Sequence, residues 1–264
     1  AAGILVVPMS TLMHRLPPVH YVAGSSLVLE PGQVLDRESF RRNLERNGYR
    51  NVETVYEHGE FALRGSLLDI FPMGSDLPYR VDLLDDEVDS LRTFSPDTQR
   101  TLEKVSAINL LPAREYPLNP AAIERFRLNW YDAFDVDHDA CTYREVSAGR
   151  APGGCEYYLP LFFEACATLF DYLPAGTPVI AVGDHYRAAQ RFWADAEHRH
   201  TEYGIDPRRP LLPPARCFTP VEELYHLLGR CPVLELRRNP EAPVHVAGPS
   251  QALPDLSTQG ARQT

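Results

Sequence analysis

The sequence predicts a mixed α/β fold, in which a strand-rich block is followed by a more helical region. Between Tyr49 and Arg92, short apolar runs alternate with turn residues such as His58-Gly59 and Asp85-Asp86, which is typical of strands joined by tight turns. From Leu110 onward, apolar residues recur at helical spacing and are separated by passages rich in proline and glycine. These two observations divide the chain into a sheet unit and a helical unit.

Ahead of the strand block, the pattern predicts two strands and two helices. They are a buried strand over residues 4–7, a short helix over 9–16, a strand over 26–30 with a turn at 31–32, and a helix over 37–47. Pro17-Pro18 should end the first helix, because proline lacks an amide proton and its ring clashes with the preceding turn. Asp36 should cap the second helix, whose Phe40 and Leu44 share one face, and Gly48 should end it.

Within the block, the pattern predicts a sheet with one apolar and one polar face. The expected elements are a strand beginning at Val52 and Val55, a long extended run over 61–71, a loop over 72–78, and a hairpin of residues 79–84 and 88–94. Alternate side chains of a strand point to opposite faces. The odd-numbered residues of Tyr79–Leu84 therefore form a core face, whereas Arg80, Asp82 and Leu84 point outward, as does Arg64 on the preceding run.

Arg64, Arg80 and Leu84 make the outward face a candidate interface, since arginine is enriched at the centres of protein interfaces. The competing interpretation is an ordinary solvent-exposed surface, because exposed arginines on strands and single exposed leucines are common. The pattern alone leaves both interpretations open.

The second half is predicted to combine helices with two strands. The expected elements are a helix opened by Asn119-Pro120, an exposed polar loop over 135–155, a buried segment over 157–163, a buried strand over 178–182, a helix over 185–200, an extended segment over 206–216, a helix over 221–228 and a strand over 233–236. The first of these helices has Ile123, Phe126, Trp130 and Phe134 at helical spacing. Residues 238–264 lack periodicity, which indicates a linker or disordered tail.

Composition narrows the class of protein. The formal net charge of −10 opposes non-specific binding to nucleic acid, which requires a basic surface. No apolar run approaches the roughly 18 residues that span a bilayer, so no membrane association is expected. The chain has 5 cysteines, an odd number, and none of them has CxxC spacing. We therefore expect neither a zinc site nor disulfides, and we expect a cytoplasmic location.

The motifs of common enzymes are missing. No GxxxxGK[ST] phosphate loop, GxSxG elbow or catalytic Cys/His pattern is present, so we expect neither a catalytic residue nor a cofactor. His198 and His200 are two residues apart and cannot share a helix face as zinc ligands do. The acidic clusters at 135–139 and 82–89 are interpreted as a solvated loop and an acidic hairpin, and no metal is expected.

A long stretch carries a family resemblance. The segment EHGEFALRGSLLDIFPMGSDLPYRVDLLDDEVDSLRTF resembles one that the excision-repair helicase UvrB shares with the transcription-repair coupling factor (Mfd) family, and HGEFALRG, FPMGSDLPYR and DPRRPLLPP favour the latter. The resemblance extends through QRTLEKVSAINLLPARE and GGCEYYLPLFFEACATLFDYLP. It implies a degenerate helicase-like α/β domain, formed by a domain 1a tail (1–25) and domain 1b (112–235), with a mixed-sheet domain 2 (26–111) inserted and a linker or tail at 236–264.

The resemblance also implies a function. In this family domain 2 binds the damage-recognition ATPase UvrA and recruits it to stalled RNA polymerase in transcription-coupled nucleotide excision repair. Arg64 matches the arginine of the FxxRG motif, Arg80 that of the PYR motif, and Leu84 a position that is often aromatic. The family further implies that the parent's own C-terminal region masks domain 2. Contacts with RNA polymerase and DNA, and the use of ATP and magnesium, belong to motor regions of the parent that are absent here.

Two alternatives remain. The chain is a UvrB-type helicase fragment with residual nucleotide or DNA binding, or it is a purely structural spacer. Against the first, UvrB-like helicases carry an Asp-Glu pair that holds magnesium, whereas here Asp184 has no adjacent acid. We therefore expect a module that is not itself an enzyme, taken from a family of ATP-dependent DNA translocases.

Overall fold

The computed structural model describes residues 3–134, 140–204, 206 and 209–236. These ranges contain both helices and a mixed sheet, which confirms the predicted mixed α/β class. The helices are α1 Met9–Leu12, α2 Val19–Ser25, α3 Arg37–Arg46, α4 Pro120–Ala133, α5 Cys141–Ser147, α6 Leu169–Tyr172, α7 His185–Tyr203, α8 Pro214–Cys217 and α9 Val221–Leu228, with a 3₁₀ helix at Cys155–Leu161. The strands are β1 Leu27–Leu29, β2 Arg50–Asn51, β3 Glu60–Arg64, β4 Leu67–Phe71, β5 Tyr79–Leu84, β6 Glu87–Phe94, β7 Thr101–Val105, β8 Ile108–Leu110, β9 Val179–Val182 and β10 Val233–Leu236.

A six-stranded sheet in the order β2-β3-β4-β5-β6-β7 forms the first half of the chain. Every neighbouring pair is antiparallel except β2 and β3, which run parallel. One face buries Phe61, Leu68, Ile70, Val81 and Leu91 in the main core of this half. Because side chains alternate, the residues between these positions lie on the opposite face, which we call the outer face.

Helix α3 covers the apolar face of the sheet. Asp36 accepts a hydrogen bond from the Ser39 amide and so caps the helix as predicted. Leu44 is fully buried and Phe40 is partly buried in the same core. The chain then leaves the helix at Gly48, where φ is +95°, a backbone region that glycine adopts without strain.

Strands β1 and β8 join the two ends of this half. They pair antiparallel, with Leu27 opposite Leu110 and Leu29 opposite Ile108. The chain therefore enters and leaves the sheet unit at one place, which we call the neck.

The second half of the chain contributes to two further hydrophobic cores. Helices α4 and α5 and the 3₁₀ helix enclose an aromatic cluster around Trp130, in which Phe126 and Tyr158 also pack. The parallel pair β9 and β10 packs with α1, α7 and α9 through a cluster that includes Met13 and Leu224. In the parts of the chain that the structure describes, we find no helix with the length and apolar character needed to cross a bilayer.

Several predictions of secondary structure were wrong. Residues 4–7 form no strand, and Ile4, Leu5 and Val6 are exposed, because no strand of the described ranges pairs with them. The predicted run over 61–71 is a hairpin: it turns at Gly65, where φ is +59°. Gly65-Ser66 between the two five-residue arms is itself a signal for a two-residue hairpin turn, and the prediction overlooked it.

The predictions for the second half were also partly wrong. Within the predicted loop 135–155, residues Cys141–Ser147 form a helix that buries Tyr143 and Val146, and the acidic cluster at 135–139 lies outside the described residues. Strand β9 exists as predicted but exposes Ile180 and Val182. The strand expected from Val52 lies instead at Arg50–Asn51, Pro214–Cys217 adds a short helix, and α2 was not predicted. The predicted tail beyond residue 236 is not described.

Candidate partner-binding site

The outer face of the six-stranded sheet carries rows of charged residues that cross the strands. The register aligns Asp69 of β4 with Arg80 of β5, Arg92 of β6 and Lys104 of β7. Charged side chains directly opposite one another on adjacent strands are close enough to interact. The sheet therefore aligns four residues, which are spread over 36 positions of sequence, in one polar row. The local pattern of residues does not predict this alignment.

Asp69 lies at one end of this row, and its side chain is 0% exposed. Arg80 forms a bidentate contact with it, Nε to Oδ1 at 2.7 Å and Nη2 to Oδ2 at 2.9 Å. Arg64 donates from Nη2 to the same Oδ2 at 2.8 Å. Two guanidinium groups thus converge on one buried carboxylate, which satisfies both of its oxygens.

Arg80 is mostly covered, contrary to the prediction that it is freely exposed. Its side chain is only 16% exposed. Its guanidinium carbon lies 4.7 Å from the centroid of the Phe94 ring, and Nη1 donates to the backbone oxygen of Gln99 at 3.2 Å. The hydrogen bond with Asp69 raises the pKa of Arg80 above its ordinary value. The strand pattern gave the direction of this side chain correctly but not the loop that covers it.

That covering loop is itself held in place. Gln99 adopts a φ of +58°, and its side-chain amide donates to the backbone oxygens of Val55 at 3.1 Å and Pro96 at 2.6 Å. Val55 and Phe94 are fully buried in a small apolar cluster on the outer face. Arg80 therefore lies in a socket made by one carboxylate, one aromatic ring and one carbonyl.

Arg64 presents a different environment. It lies at the end of β3, and its side chain is 50% exposed. Among the described residues only its Nη2 has a hydrogen-bond partner, which leaves the N–H groups of Nε and Nη1 available to another acceptor. Arg64 is therefore the part of the arginine pair that is accessible to another molecule, in agreement with the prediction.

Leu84 is 70% exposed at the end of β5, beside the turn at Asp85. A strand rises about 3.3 Å per residue, so its backbone lies roughly 13 Å along β5 from that of Arg80. Between the two, Asp82 accepts from the Ser90 hydroxyl at 2.8 Å and pairs with Arg92 at 3.3 Å. Leu84 thus lies on the same strand as Arg80 but does not belong to the cluster around Asp69.

Arg37 of α3 fixes the two hairpin turns beside Leu84. Its Nη1 donates to the backbone oxygen of Gly65 at 2.9 Å, and its Nη2 donates to that of Asp85. Its Nε also pairs with the Asp86 carboxylate at 3.3 Å. One side chain therefore ties both turns to the helix, so the tip that carries Leu84 has a defined position.

Sequence reasoning missed Asp69, Phe94, Gln99 and Arg37. Only Asp69 gave a signal in the sequence: it lies between Leu68 and Ile70 in an otherwise apolar strand, and a buried acid requires a positive partner. The supporting contacts of the others depend on long-range register and on a positive φ, which residue pattern does not show.

The other candidate groups do not assemble into a site. Asp184 accepts from the Arg187 amide at 3.1 Å and caps α7, which is a structural role. Within the described ranges, no cluster of three or more His, Cys, Asp or Glu side chains has the geometry to hold a metal ion.

Comparison with known proteins gives the family. Residues 27–116 match the family model of the UvrB interaction domain. Over 262 residues the chain is 49% identical to the transcription-repair-coupling factor of Escherichia coli K12, which covers 97% of this chain and 23% of that protein. The chain belongs to the transcription-repair coupling factor family. It is also 45% identical to the Haemophilus influenzae member, over 87% of this chain and 20% of that protein, and 30% identical to the Bacillus subtilis member, over 68% and 16%.

The chain spans about a sixth to a quarter of the length of these coupling factors. The matched interaction domain begins at β1 and ends just beyond β8, so it contains the whole six-stranded sheet and its neck. Arg64, Asp69, Arg80 and Leu84 all lie within it. The assignment of these residues to a partner contact, and the division of the chain into domains 1a, 2 and 1b, remain predictions.

Proposed function

We propose that this chain is a non-catalytic recruitment module that binds UvrA through the outer face of its six-stranded sheet. The observation that carries the proposal is the half-exposed guanidinium of Arg64, anchored on a buried carboxylate inside the segment that matches the UvrB interaction domain. Leu84 adds an exposed apolar side chain on the same sheet. Arginine is enriched among the residues that dominate the affinity of protein interfaces, and an exposed leucine adds apolar area that is removed from water on contact.

The proposal gives the three predicted residues unequal roles. Arg64 contacts the partner directly through Nε and Nη1, and Leu84 is buried on binding. Arg80 contributes chiefly by holding the Asp69 cluster together, because little of its side chain is exposed. This division of roles follows from the exposed fraction of each side chain, which the sequence does not show.

We also propose the biological role of this binding. In the family, recruitment of UvrA serves transcription-coupled nucleotide excision repair. We assign contacts with RNA polymerase and DNA, and the ATP and magnesium of the motor, to parts of the coupling factors that lie outside the segment matched by this chain. Masking of the outer face by the parent's C-terminal region, the absence of a cofactor in this segment and a cytoplasmic location stay predictions.

The direct test is the affinity of the chain for purified UvrA, measured by isothermal titration. We expect Arg64→Ala and Leu84→Ala each to weaken binding by about 1–2 kcal/mol, since each removes one anchor. Arg125→Ala and Leu128→Ala are matched controls, because both side chains are exposed on α4, away from the sheet. Equal losses in site and control variants would refute the assignment of the site.

The helicase-fragment alternative makes the opposite prediction. It requires binding of a fluorescent ATP analogue or of duplex DNA at moderate salt. Such binding by the wild-type chain, with no measurable affinity for UvrA, would replace the recruitment proposal. An intact fold that binds none of the three would favour a structural spacer.

A further inference from the structure

Asp69 is a buried carboxylate whose presence on the outer face requires an explanation. Removing an ionised carboxylate from water is costly unless charged partners replace the lost hydration. A well-packed apolar residue at the same place often gives equal or greater stability. Stability alone therefore does not account for a buried acid at this place, and the arrangement of its partners is the informative feature.

We infer that Asp69 is a positioning residue that locks Arg64 and Arg80 into one rigid guanidinium pair, with the free edge of Arg64 aimed at the partner. The inference rests on the proposed function for the partner itself. It adds a residue outside the predicted contact set and gives that residue a role in pre-organisation. Holding a long side chain in its bound conformation avoids part of the ordering cost on association.

Three successive steps connect a fixed loop to the exposed arginine. The backbone oxygen of Gln99 and the ring of Phe94 fix Arg80. Arg80 binds both oxygens of Asp69 and so fixes the plane of the carboxylate. The Oδ2 atom of Asp69 then holds Nη2 of Arg64 at 2.8 Å. Because the guanidinium is planar, fixing Nη2 also restricts the directions of Nε and Nη1.

Charge in the cluster favours an acidic contact on the partner. Arg64 and Arg80 carry two positive charges, and Asp69 supplies one negative charge. The surplus positive charge lies at the outer edge, on Arg64, because Arg80 is enclosed. A carboxylate on the partner would complete this arrangement by a bidentate contact with the free edge.

Arginine-selective ¹⁵N NMR on the whole chain tests the positioning directly, without any partner. In the wild-type chain, the Nε–H order parameter of Arg64 should be well above that of Arg125, which is exposed on α4. In Asp69→Asn, the order parameter of Arg64 should fall toward that of Arg125. Equal order of the two arginines in the wild type would overturn the inference, even if Asp69→Asn did not fold.

A double-mutant cycle with UvrA tests whether binding uses the positioning. Asp69→Asn should weaken binding by about tenfold, and Arg64→Ala should add little further loss in that background. Leu84→Ala should remain additive with Asp69→Asn, because its side chain does not contact the cluster. Additive losses for Asp69→Asn and Arg64→Ala would overturn the inference. An ordered Arg64 in a chain that does not bind UvrA would support the positioning and refute the proposed function.

Discussion

Arg80 and Arg64 should differ sharply in their effect on stability, although sequence gives them equivalent roles. Arg80→Ala removes a bidentate partner from a carboxylate that is 0% exposed and leaves Asp69 with one contact to a half-exposed arginine. Arg64→Ala leaves that bidentate contact intact. We therefore expect Arg80→Ala to lower the free energy of unfolding of the sheet unit much more than Arg64→Ala.

The magnitudes follow from the burial of each pair. Removing one partner of a buried ion pair costs about 3–5 kcal/mol. Arg64 remains as a second partner of Asp69, so we expect a loss of about 2–4 kcal/mol for Arg80→Ala. Exposed pairs contribute about 0–1 kcal/mol, and we expect Arg64→Ala to lie in that range because half of its side chain is in solvent.

The assay must report on the sheet itself. Trp130 and Trp193 are the 2 tryptophans of the chain, and both lie in the second half, so intrinsic tryptophan fluorescence would miss the change. Hydrogen exchange of the β4 and β5 amides is suitable, since it measures local opening. A loss of about 3 kcal/mol in Arg80→Ala corresponds to roughly 100-fold faster exchange. Exchange rates within threefold of each other in the two variants, with Arg125→Ala as control, would refute the reasoning.

Three further predictions follow from the same contacts. Leu84→Phe should tighten binding to UvrA in titration calorimetry, because an aromatic ring adds apolar area at an exposed position, while Leu128→Phe on α4 should have no effect. Arg37→Ala should lower the stability of the two hairpin turns by about 1 kcal/mol, seen as faster exchange of the Leu35 amide, which donates to the backbone oxygen of Asp86. Unchanged exchange would contradict the role of Arg37 in holding the turns. Burial raises the pKa of Cys155 to about 11, so its thiol should stay unreactive to a disulfide reagent at pH 8 while exposed Cys141 reacts; equal rates would contradict that burial.

Strand alternation predicted the outer face, but not what covers it. The two-residue period correctly placed Val81 in the core and Arg80 on the opposite side. Whether an outward side chain meets water depends on residues distant in sequence, and here Phe94 and Gln99 cover Arg80. The same limit explains why the exposure of Leu84 was predicted correctly, since at the tip of a hairpin no distant segment of the described residues covers it.

Helices and strands were predicted best where the local pattern of residues also marked both ends of the element. The helix Val221–Leu228 matches its prediction residue for residue. The predicted strand at 4–7 was wrong because a β-branched run indicates strand propensity, whereas a strand also needs a hydrogen-bonded neighbour. Helix α5 was missed because its short sequence buries only Tyr143 and Val146, too few apolar residues to show a period.

The neck formed by β1 and β8 has a mechanical consequence. Because Leu27 lies opposite Leu110, tension applied along the chain at these two points crosses the ladder directly and does not load the six-stranded sheet. Pulling from positions 26 and 111 should separate the ladder one residue pair at a time, as a low-force step before the sheet unfolds, which force spectroscopy can resolve. While the ladder holds, the surface around Arg64 should keep its shape under load, which would suit the docking surface that we propose.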